Sequence, residues 1–211
     1  MRVASRLGGW SVSVAIPVMA ALTVYPSNRL TAQVSLHVAA GARYSSTLVH
    51  DSIVAPFDLR PTVAPTLAVT VLEETRGTWT PDVTADISWS GLRRHDSGGG
   101  STRINSLATL AVTVGLRRQL RAGVSARVGV GALKYLPGDA TGIFRDGSGV
   151  AVLGAAAVDW APPAAARRGL ALTVRYDAHR FLTTALKTAG FTEPHLVHRV
   201  AVGLRARLGA P

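Results

Sequence analysis

The feature that most constrains the fold of this chain is an alternation of apolar side chains with polar or small ones, repeated in eight segments. Within residues 195–208, Leu196 and Val200 share one parity, whereas Arg199 and Arg205 share the other. Successive side chains of a β-strand point to opposite faces, so each segment predicts a strand with one apolar face and one mixed polar face. The other seven segments are 34–44, 61–72, 82–89, 103–117, 121–133, 149–160 and 169–179.

The connections between these segments alternate between long and shorter ones. The long connections are residues 45–60, 91–102, 134–148 and 180–194, and the shorter ones are 73–81, 118–120 and 161–168. A closed up-and-down barrel with its long loops at one end produces this alternation. The sequence therefore predicts an all-β fold, an eight-stranded antiparallel up-and-down transmembrane β-barrel. Pro65 predicts a local irregularity in the second strand, because proline lacks a donor for the ladder.

The chain is strongly basic, with 23 Lys and Arg residues against 12 Asp and Glu residues and a formal net charge of +11. A surface that binds nucleic acid usually concentrates its basic residues on one face. Here they are almost all arginines and are spread through the apolar segments, so we expect no nucleic-acid partner. The sequence has no cysteine, which excludes disulfides and thiolate metal sites.

The composition of the two strand faces indicates which face meets water. A water-soluble barrel of the lipocalin type turns its apolar face inward and needs an outer face rich in lysine and glutamate. In this sequence the polar faces carry Gly, Ser, Thr and isolated Arg or Asp, with very few Lys or Glu. Small side chains interleaved with a few long charged ones suit the narrow interior of an eight-stranded barrel. We therefore expect the Val and Leu faces to contact lipid.

An interior of this kind predicts a cluster of ion pairs. A charge without a partner inside a narrow lumen is costly, so arginines on the inward parity are expected close to carboxylates. The predicted structural cluster in the lumen comprises Asp82, Asp86, Arg103, Arg127, Asp159, Arg175, Asp177 and Arg199. Arg205 and Arg207, nearer the chain end, are expected to reach water instead.

The N-terminal residues have the features of an export signal. Arg2 and Arg6 precede an apolar stretch, and Ala32 supplies a small residue at the expected cleavage point. Pro17 within the stretch, Pro26 just after it and the modest length of the stretch disfavour a membrane-anchor helix, which needs about 20 apolar residues. The sequence is therefore expected to consist of a signal peptide, residues 1–33, and a β-barrel domain, residues 34–211.

In this pattern the chain resembles the small outer-membrane β-barrels of Gram-negative bacteria, the group that includes the OmpA transmembrane domain and its eight-stranded relatives. The resemblance covers residues 34–211 and consists of strand periodicity and loop alternation. It implies a monomer of the cell outer membrane, whose partners are outer-membrane lipid and the barrel assembly machinery. Such barrels carry aromatic girdles at both membrane interfaces. The candidates here are Tyr44, Trp89, Tyr135, Trp160, Tyr176 and Phe181.

Features that imitate reactive sites are better explained by a barrel. The glycines of residues 96–101 suit a loop tip, because the strand-to-helix context of a phosphate cradle is missing. The triplets His50-Asp51-Ser52 and His95-Asp96-Ser97 match the His-x-Ser pair of outer-membrane lipid hydrolases, but they fall in predicted loops. We therefore expect no catalytic residue, no cofactor and no metal ligand.

The sequence thus favours a non-enzymatic outer-membrane barrel that serves envelope structure, surface-loop interaction or minor solute passage. Two alternatives stay open at this point. A periplasmic lipocalin-like binder would turn the Val and Leu faces inward around an apolar ligand. An envelope lipid-modifying hydrolase would need one His-Asp-Ser triplet held on a strand, or a serine beside His179.

Overall fold

The computed structural model of the protein describes residues 33–51, 56–74 and 78–208, so the expected signal peptide lies outside it apart from Gln33. The strands are β1 (Gln33–Ser45), β2 (Val49–Asp51), β3 (Phe57–Pro61), β4 (Ala64–Glu74), β5 (Trp79–Asp96), β6 (Ser101–Arg121), β7 (Val124–Pro137), β8 (Val150–Trp160), β9 (Leu170–Phe181) and β10 (His195–Leu208). The connections contain helices α1 (Pro163–Ala166) and α2 (Thr184–Thr188) and a 3-10 turn (Gly142–Phe144). Within the described ranges, no helix combines the length and the apolar character needed to cross a bilayer.

Eight of the ten strands close into a ring. Around the ring they follow the order β5, β4, β1, β10, β9, β8, β7 and β6, and β6 pairs with β5 again. Every neighbouring pair is antiparallel, and the first and last ring strands pair with Gly41 opposite Gly203. The predicted eight-stranded antiparallel up-and-down barrel is confirmed. Closure pairs the backbone N–H and C=O groups of these strands without a free sheet edge.

The first long connection is largely strand rather than loop. The sequence predicts a loop over 45–60, whereas β2 and β3 pair with each other there and β3 pairs with the far end of β5. The break between β3 and β4 falls at Thr62 and Val63, close to the irregularity predicted at Pro65. Gly91 bridges this break, because its N–H donates to Thr62 Oγ1 (2.9 Å) and its carbonyl accepts from the Thr62 N–H (2.8 Å).

Two other connections are also shorter than the sequence predicts. The connection predicted at 91–102 is only residues 97–100, since β5 and β6 continue on either side of it. The connection predicted at 118–120 is strand, and the chain turns at Ala122 and Gly123, where Gly123 has a φ of 74°. Each stretch contains a single leucine, Leu92 or Leu120, among polar residues and glycines, so the repeated apolar alternation that marks a strand is missing from them.

The connections distinguish two ends of the barrel. At one end, called the loop end, lie the β2–β3 hairpin, the β5–β6 turn, the 3-10 turn and α2. At the other end, called the turn end, lie the β4–β5, β6–β7 and β8–β9 connections. The two parities of each ring strand then define an inside and an outside.

The apolar parity points outward. On β7, Arg127 and Leu133 are buried in the interior, whereas Val128 and Val130 are 55% and 61% exposed. On β8, Val152 is 80% exposed. The same division holds around the ring, so the Val and Leu faces cover the outer surface and the mixed polar faces line the interior.

Glycine at two inward positions lets β1 and β10 approach each other closely. Gly41 and Gly203 lie opposite each other in the ladder. A Cβ on Gly203 would lie 3.0 Å from both the carbonyl carbon of Ala40 and the Cα of Gly41, tighter than ordinary Cβ contacts. The seam that closes the barrel therefore depends on the absence of side chains at this pair.

We expect Gly203→Ala to lower the free energy of unfolding by about 1–3 kcal/mol, because the added methyl group overpacks the seam. Gly154→Ala is the matched control, since a Cβ there would meet no atom within 4 Å and the change is expected to be neutral or slightly stabilising. Urea unfolding in detergent micelles, followed by tryptophan fluorescence, compares the two variants. Equal stabilities would contradict a close approach at Gly203.

Candidate functional site: the charged interior of the barrel

Six arginines and four aspartates occupy the middle of the interior as two neighbouring clusters. The loop-side cluster comprises Arg43, Asp86, Arg175, Asp177 and Arg199. The turn-side cluster comprises Asp82, Arg117, Arg127, Asp159 and Arg205. These side chains come from seven of the eight ring strands, so the ion pairs connect parts of the chain that are far apart in sequence.

Two carboxylates hold the three arginines of the loop-side cluster. Arg43 Nη1 donates to Asp86 Oδ1 at 2.5 Å. Arg175 contacts both carboxylates, with its Nη1 2.7 Å from Asp86 Oδ2 and its Nε 2.8 Å from Asp177 Oδ1. Arg199, whose side chain is 1% exposed, lies farther away, with its Nη2 3.6 Å from Asp86 and 3.5 Å from Asp177. Each carboxylate therefore neutralises more than one guanidinium group.

The turn-side cluster repeats this arrangement. Arg127 Nε donates to Asp82 Oδ1 at 2.6 Å. Arg117 Nη1 donates to Asp159 Oδ2, and Arg205 Nη1 lies 3.1 Å from the same oxygen. Arg205 was expected to reach water; its parity directs it into the interior, where its side chain is 16% exposed and lines a polar cavity at the turn end. Each cluster has three guanidinium groups and two carboxylates, and so an excess of one positive charge.

Glycine also makes room for the guanidinium group of Arg127. Gly115 and Gly129 lie opposite each other on β6 and β7. A Cβ on Gly115 would lie 2.8 Å from Arg127 Cζ, and one on Gly129 would lie 3.2 Å from Arg127 Nη1. Small residues at inward-facing positions therefore leave the space that the long arginine side chains occupy.

The structure brings seven of the eight residues of the predicted lumen cluster into these two groups. Arg103 is the exception, and its placement in the cluster was wrong. It is exposed, and its Nε lies 3.4 Å from the position of a Cβ on Gly91. The β5–β6 ladder shifts register between Leu92 and Arg93, so Asn105 stays buried whereas Arg103 turns outward.

Three arginines of the clusters were missing from the predicted set: Arg43, Arg117 and Arg205. The sequence contains a signal for each of them, because each shares its parity with an inward glycine of the same strand, two residues away. These glycines are Gly41, Gly115 and Gly203.

On the loop side of the clusters the interior is apolar. Tyr135, Phe144 and Phe181 pack with ring centroids 5.2–6.0 Å apart, and Leu92 and Leu186 belong to the same buried core. We call this group the apolar plug. Since Leu186 belongs to α2 and Phe144 to the 3-10 turn, the connections themselves cover the loop end.

The apolar plug corrects the predicted aromatic girdle. Tyr135 and Phe181 were expected at the outer surface, but they are only 3% and 4% exposed and lie inside the barrel. Tyr44, Trp89 and Trp160 are 49%, 47% and 53% exposed on the outside. Tyr176, at 42%, lies outside with them, as does Trp79, at 46%, which the sequence reasoning missed.

The histidines considered for hydrolytic chemistry have other partners. The first two residues of each His-Asp-Ser triplet lie on strands, on β2 and β5, and not in loops as predicted. His50 Nδ1 lies 2.7 Å from Asp58 Oδ1. His179 Nε2 lies 2.8 Å from the Tyr135 hydroxyl, so its partner is a tyrosine and not a serine.

One Ser–His contact does exist inside the barrel, with Ser35 Oγ 3.2 Å from His37 Nε2. Ser35 is 3% exposed, which keeps its hydroxyl away from a lipid substrate on the outer surface. Among the described residues, the hydrogen-bond partner of the His37 ring is Ser35, whereas a catalytic base of this type is oriented by a carboxylate. The pair therefore lacks the third member of a triad.

The fold and the interior define a class of protein, the closed eight-stranded up-and-down β-barrel with a packed, charged lumen. No family model and no curated protein matches the sequence. Among solved structures the chain is similar to Ail, the attachment invasion locus protein of Yersinia pestis, at 10% identity and a TM-score of 0.46, over 85% of this chain and 100% of that chain.

The chain is also similar to the outer membrane protein OprG of Pseudomonas aeruginosa, at 9% identity and a TM-score of 0.46, over 85% of this chain and 98% of that chain. A designed transmembrane β-barrel matches at 14% identity and a TM-score of 0.39, over 82% of this chain and 95% of that chain. Ail and OprG are both outer membrane proteins. At these identities the likeness concerns the fold alone.

We expect Asp86→Asn to lower the free energy of unfolding by about 3–5 kcal/mol, because it leaves three buried arginines with a single carboxylate. Asp58→Asn is the control, since this carboxylate pairs with His50 on the β2–β3 hairpin and its side chain is 32% exposed, so the loss should be about 0–1 kcal/mol. Urea unfolding in micelles measures both. If the two variants lose the same stability, charge pairing in the loop-side cluster does not stabilise the barrel.

Proposed function

We propose that this protein is a non-enzymatic integral protein of a bacterial outer membrane. The observation that carries the proposal is the outer surface of the ring, where every strand exposes large apolar side chains. The most exposed of them include Val34 at 59%, Val130 at 61%, Val152 at 80% and Leu204 at 65%. A water-soluble monomer rarely exposes a contiguous apolar patch larger than a few hundred Å². Lipid stabilises such a surface, and a closed barrel pairs its backbone polar groups as a membrane crossing requires.

Two tryptophans on one strand are spaced as expected for residues at the two edges of an apolar band that spans a membrane. Trp79 and Trp89 lie on the outward face of β5 and are 46% and 47% exposed. Their sequence separation corresponds to about 33 Å along a strand and, at a tilt of about 40°, to about 25 Å along the barrel axis. The apolar band between the aromatic girdles of outer-membrane barrels is also about 25 Å tall.

The interior disfavours a carrier of apolar ligands. Such a binder needs an apolar cavity, and small-molecule sites usually have volumes of about 300–1,000 Å³. Here the middle of the interior contains ten charged side chains, and the cavity between the two clusters measures only about 60 Å³. The lipocalin-like alternative also requires the Val and Leu faces to point inward, whereas they point outward.

The same interior favours a role in envelope structure or surface-loop contacts over the passage of solutes. The apolar plug fills the loop side, and the two clusters fill the middle, so side chains occupy the lumen as expected for eight strands. Residues 1–33 would direct export, and the loop end would then face the cell exterior. In planar bilayers we expect no large, stable porin-type conductance.

A charged residue on the outer face distinguishes a lipid-facing barrel from a water-soluble one. We expect Val130→Arg, in the middle of β7, to lower the free energy of unfolding from vesicles by about 2–4 kcal/mol. Leu120→Arg is the matched control, because Leu120 is 58% exposed at the turn end, where the cost should be about 0–1 kcal/mol. In a water-soluble barrel both changes would stay within about 0.5 kcal/mol, and that result would contradict membrane insertion.

Cysteine labelling tests export and orientation together, because the sequence has no cysteine of its own. Ser97 lies in the β5–β6 turn at the loop end, and Gln119 lies at the turn end; both are exposed. On intact cells we expect Ser97→Cys to react with a membrane-impermeant maleimide and Gln119→Cys to react only after lysis. The reverse pattern would overturn the orientation, and protection of both would overturn the outer-membrane location.

A further inference from the structure

We infer that the barrel interior binds a small inorganic anion of the chloride type in the cavity between the two clusters. Five of the six interior arginines line this cavity: Arg43, Arg117, Arg127, Arg175 and Arg205. Among the described residues, Asp159 is the only carboxylate in its wall. The remaining wall is alanine, glycine, threonine and one valine. A low-dielectric space lined by one sign of charge concentrates ions of the opposite sign.

The charge balance of the interior supports an anion. Six guanidinium groups face four carboxylates, so two positive charges have no counter-charge among the described interior residues. Burying a charge without a partner is unfavourable, because the protein interior replaces only part of its hydration. An anion held between the two clusters reduces the excess in both at once.

The arginines of the cavity also have free donors. Among the described residues, Arg43 Nε, Arg117 Nε and Arg175 Nη2 are buried atoms without a hydrogen-bond partner. The side chain of Arg43 is only 2% exposed, so water outside the barrel cannot satisfy its Nε. Guanidinium N–H groups form strong charge-assisted hydrogen bonds with anions. The cavity therefore provides directed donors in addition to net charge.

The size of the cavity limits the anion to a small one. One water molecule needs roughly 10–15 Å³ of such a cavity. The volume of about 60 Å³ therefore accommodates one small ion with a few water molecules, but no bulky organic anion.

A polar vestibule gives the anion a route from the solution to the inner cavity. It has a volume of about 360 Å³ at the turn end, is lined by His37 and Arg207, and shares Asp159 and Arg205 with the inner cavity. An anion can reach the Arg205–Asp159 pair through this vestibule, whereas the apolar plug closes the opposite side. The site is therefore blind-ended and not part of a pore.

Urea unfolding of the wild type in detergent micelles tests the site. The ionic strength is held constant while chloride replaces gluconate, which is too bulky for the cavity. A ligand that binds only the folded state stabilises it, so above the dissociation constant each tenfold increase in chloride should lower the unfolding equilibrium constant about tenfold. Equal stability in chloride and in gluconate would overturn the inference.

Ala157 offers a matched pair of variants that locates the anion. It lines the cavity and lies opposite Arg127 on β7 and opposite Arg175 on β9. Ala157→Asp tethers a carboxylate where the anion is expected, so the chloride dependence should disappear and the stability in gluconate should rise. Ala157→Asn has nearly the same shape without the charge and should keep the dependence. Full chloride dependence in Ala157→Asp would show that the anion does not bind in this cavity.

Crystallography of the wild-type protein tests the site directly and does not depend on whether either variant folds. Crystals of the wild-type protein grown in sodium bromide should show an anomalous bromide peak between the two clusters. Bromide found only on the outer surface, or nowhere, would overturn the inference. The interior charges are the same in micelles and in membranes, so these outcomes are independent of whether the protein resides in the outer membrane.

Discussion

The pairing of arginine with aspartate across the interior is the interaction on which the rest of the structure depends. Asp86 on β5 contacts Arg43 on β1 and Arg175 on β9, so one carboxylate connects three separate strands of the ring. A slip of one residue in any of these strands would turn its charged side chain outward to the apolar surface. Buried ion pairs contribute little net stability when desolvation is included. Their main effect here is to specify the register of strands whose outer faces are nearly uniform in Val and Leu.

The need to place these ion pairs inside the ring explains why so many inward-facing residues are small. Ten charged side chains fit inside an eight-stranded ring only where the opposite wall has no side chain, as at Gly115 and Gly129 beside Arg127. Small residues therefore provide space for long ones, and the seam at Gly41 and Gly203 shows that they also set how closely strands approach. The residual gap between the two clusters follows from this arrangement, because guanidinium groups that reach toward separate carboxylates do not pack as tightly as aliphatic chains.

Much of this arrangement can be predicted from parity alone. The alternation places Arg127, Arg175 and Arg199 on the inward face, and the structure finds them there. Parity also places Tyr135 and Phe181 inside, and their assignment to an outer girdle failed because it followed residue type instead of parity. Local changes of register cannot be read from parity, since an extra residue in one strand reverses every side chain beyond it, as at Arg103. The continuation of β5 and β6 beyond the apolar belt could not be predicted either, because Leu92 and Leu120 are isolated among polar residues there and give no apolar alternation.

The two ends of the interior differ in a way that follows from the chain connections. At the loop end, α2 and the 3-10 turn carry apolar side chains long enough to reach into the barrel, and Leu186 and Phe144 join a core that excludes water. At the turn end the β6–β7 and β8–β9 connections contribute small residues such as Gly123 and Ala166 to the lining, and a polar vestibule remains between His37 and Arg207. The excess positive charge of the clusters is thus shielded from one side and open to ions on the other. A barrel built in this way is closed by apolar side chains at the loop end, whereas its charged interior adjoins an open polar vestibule at the turn end.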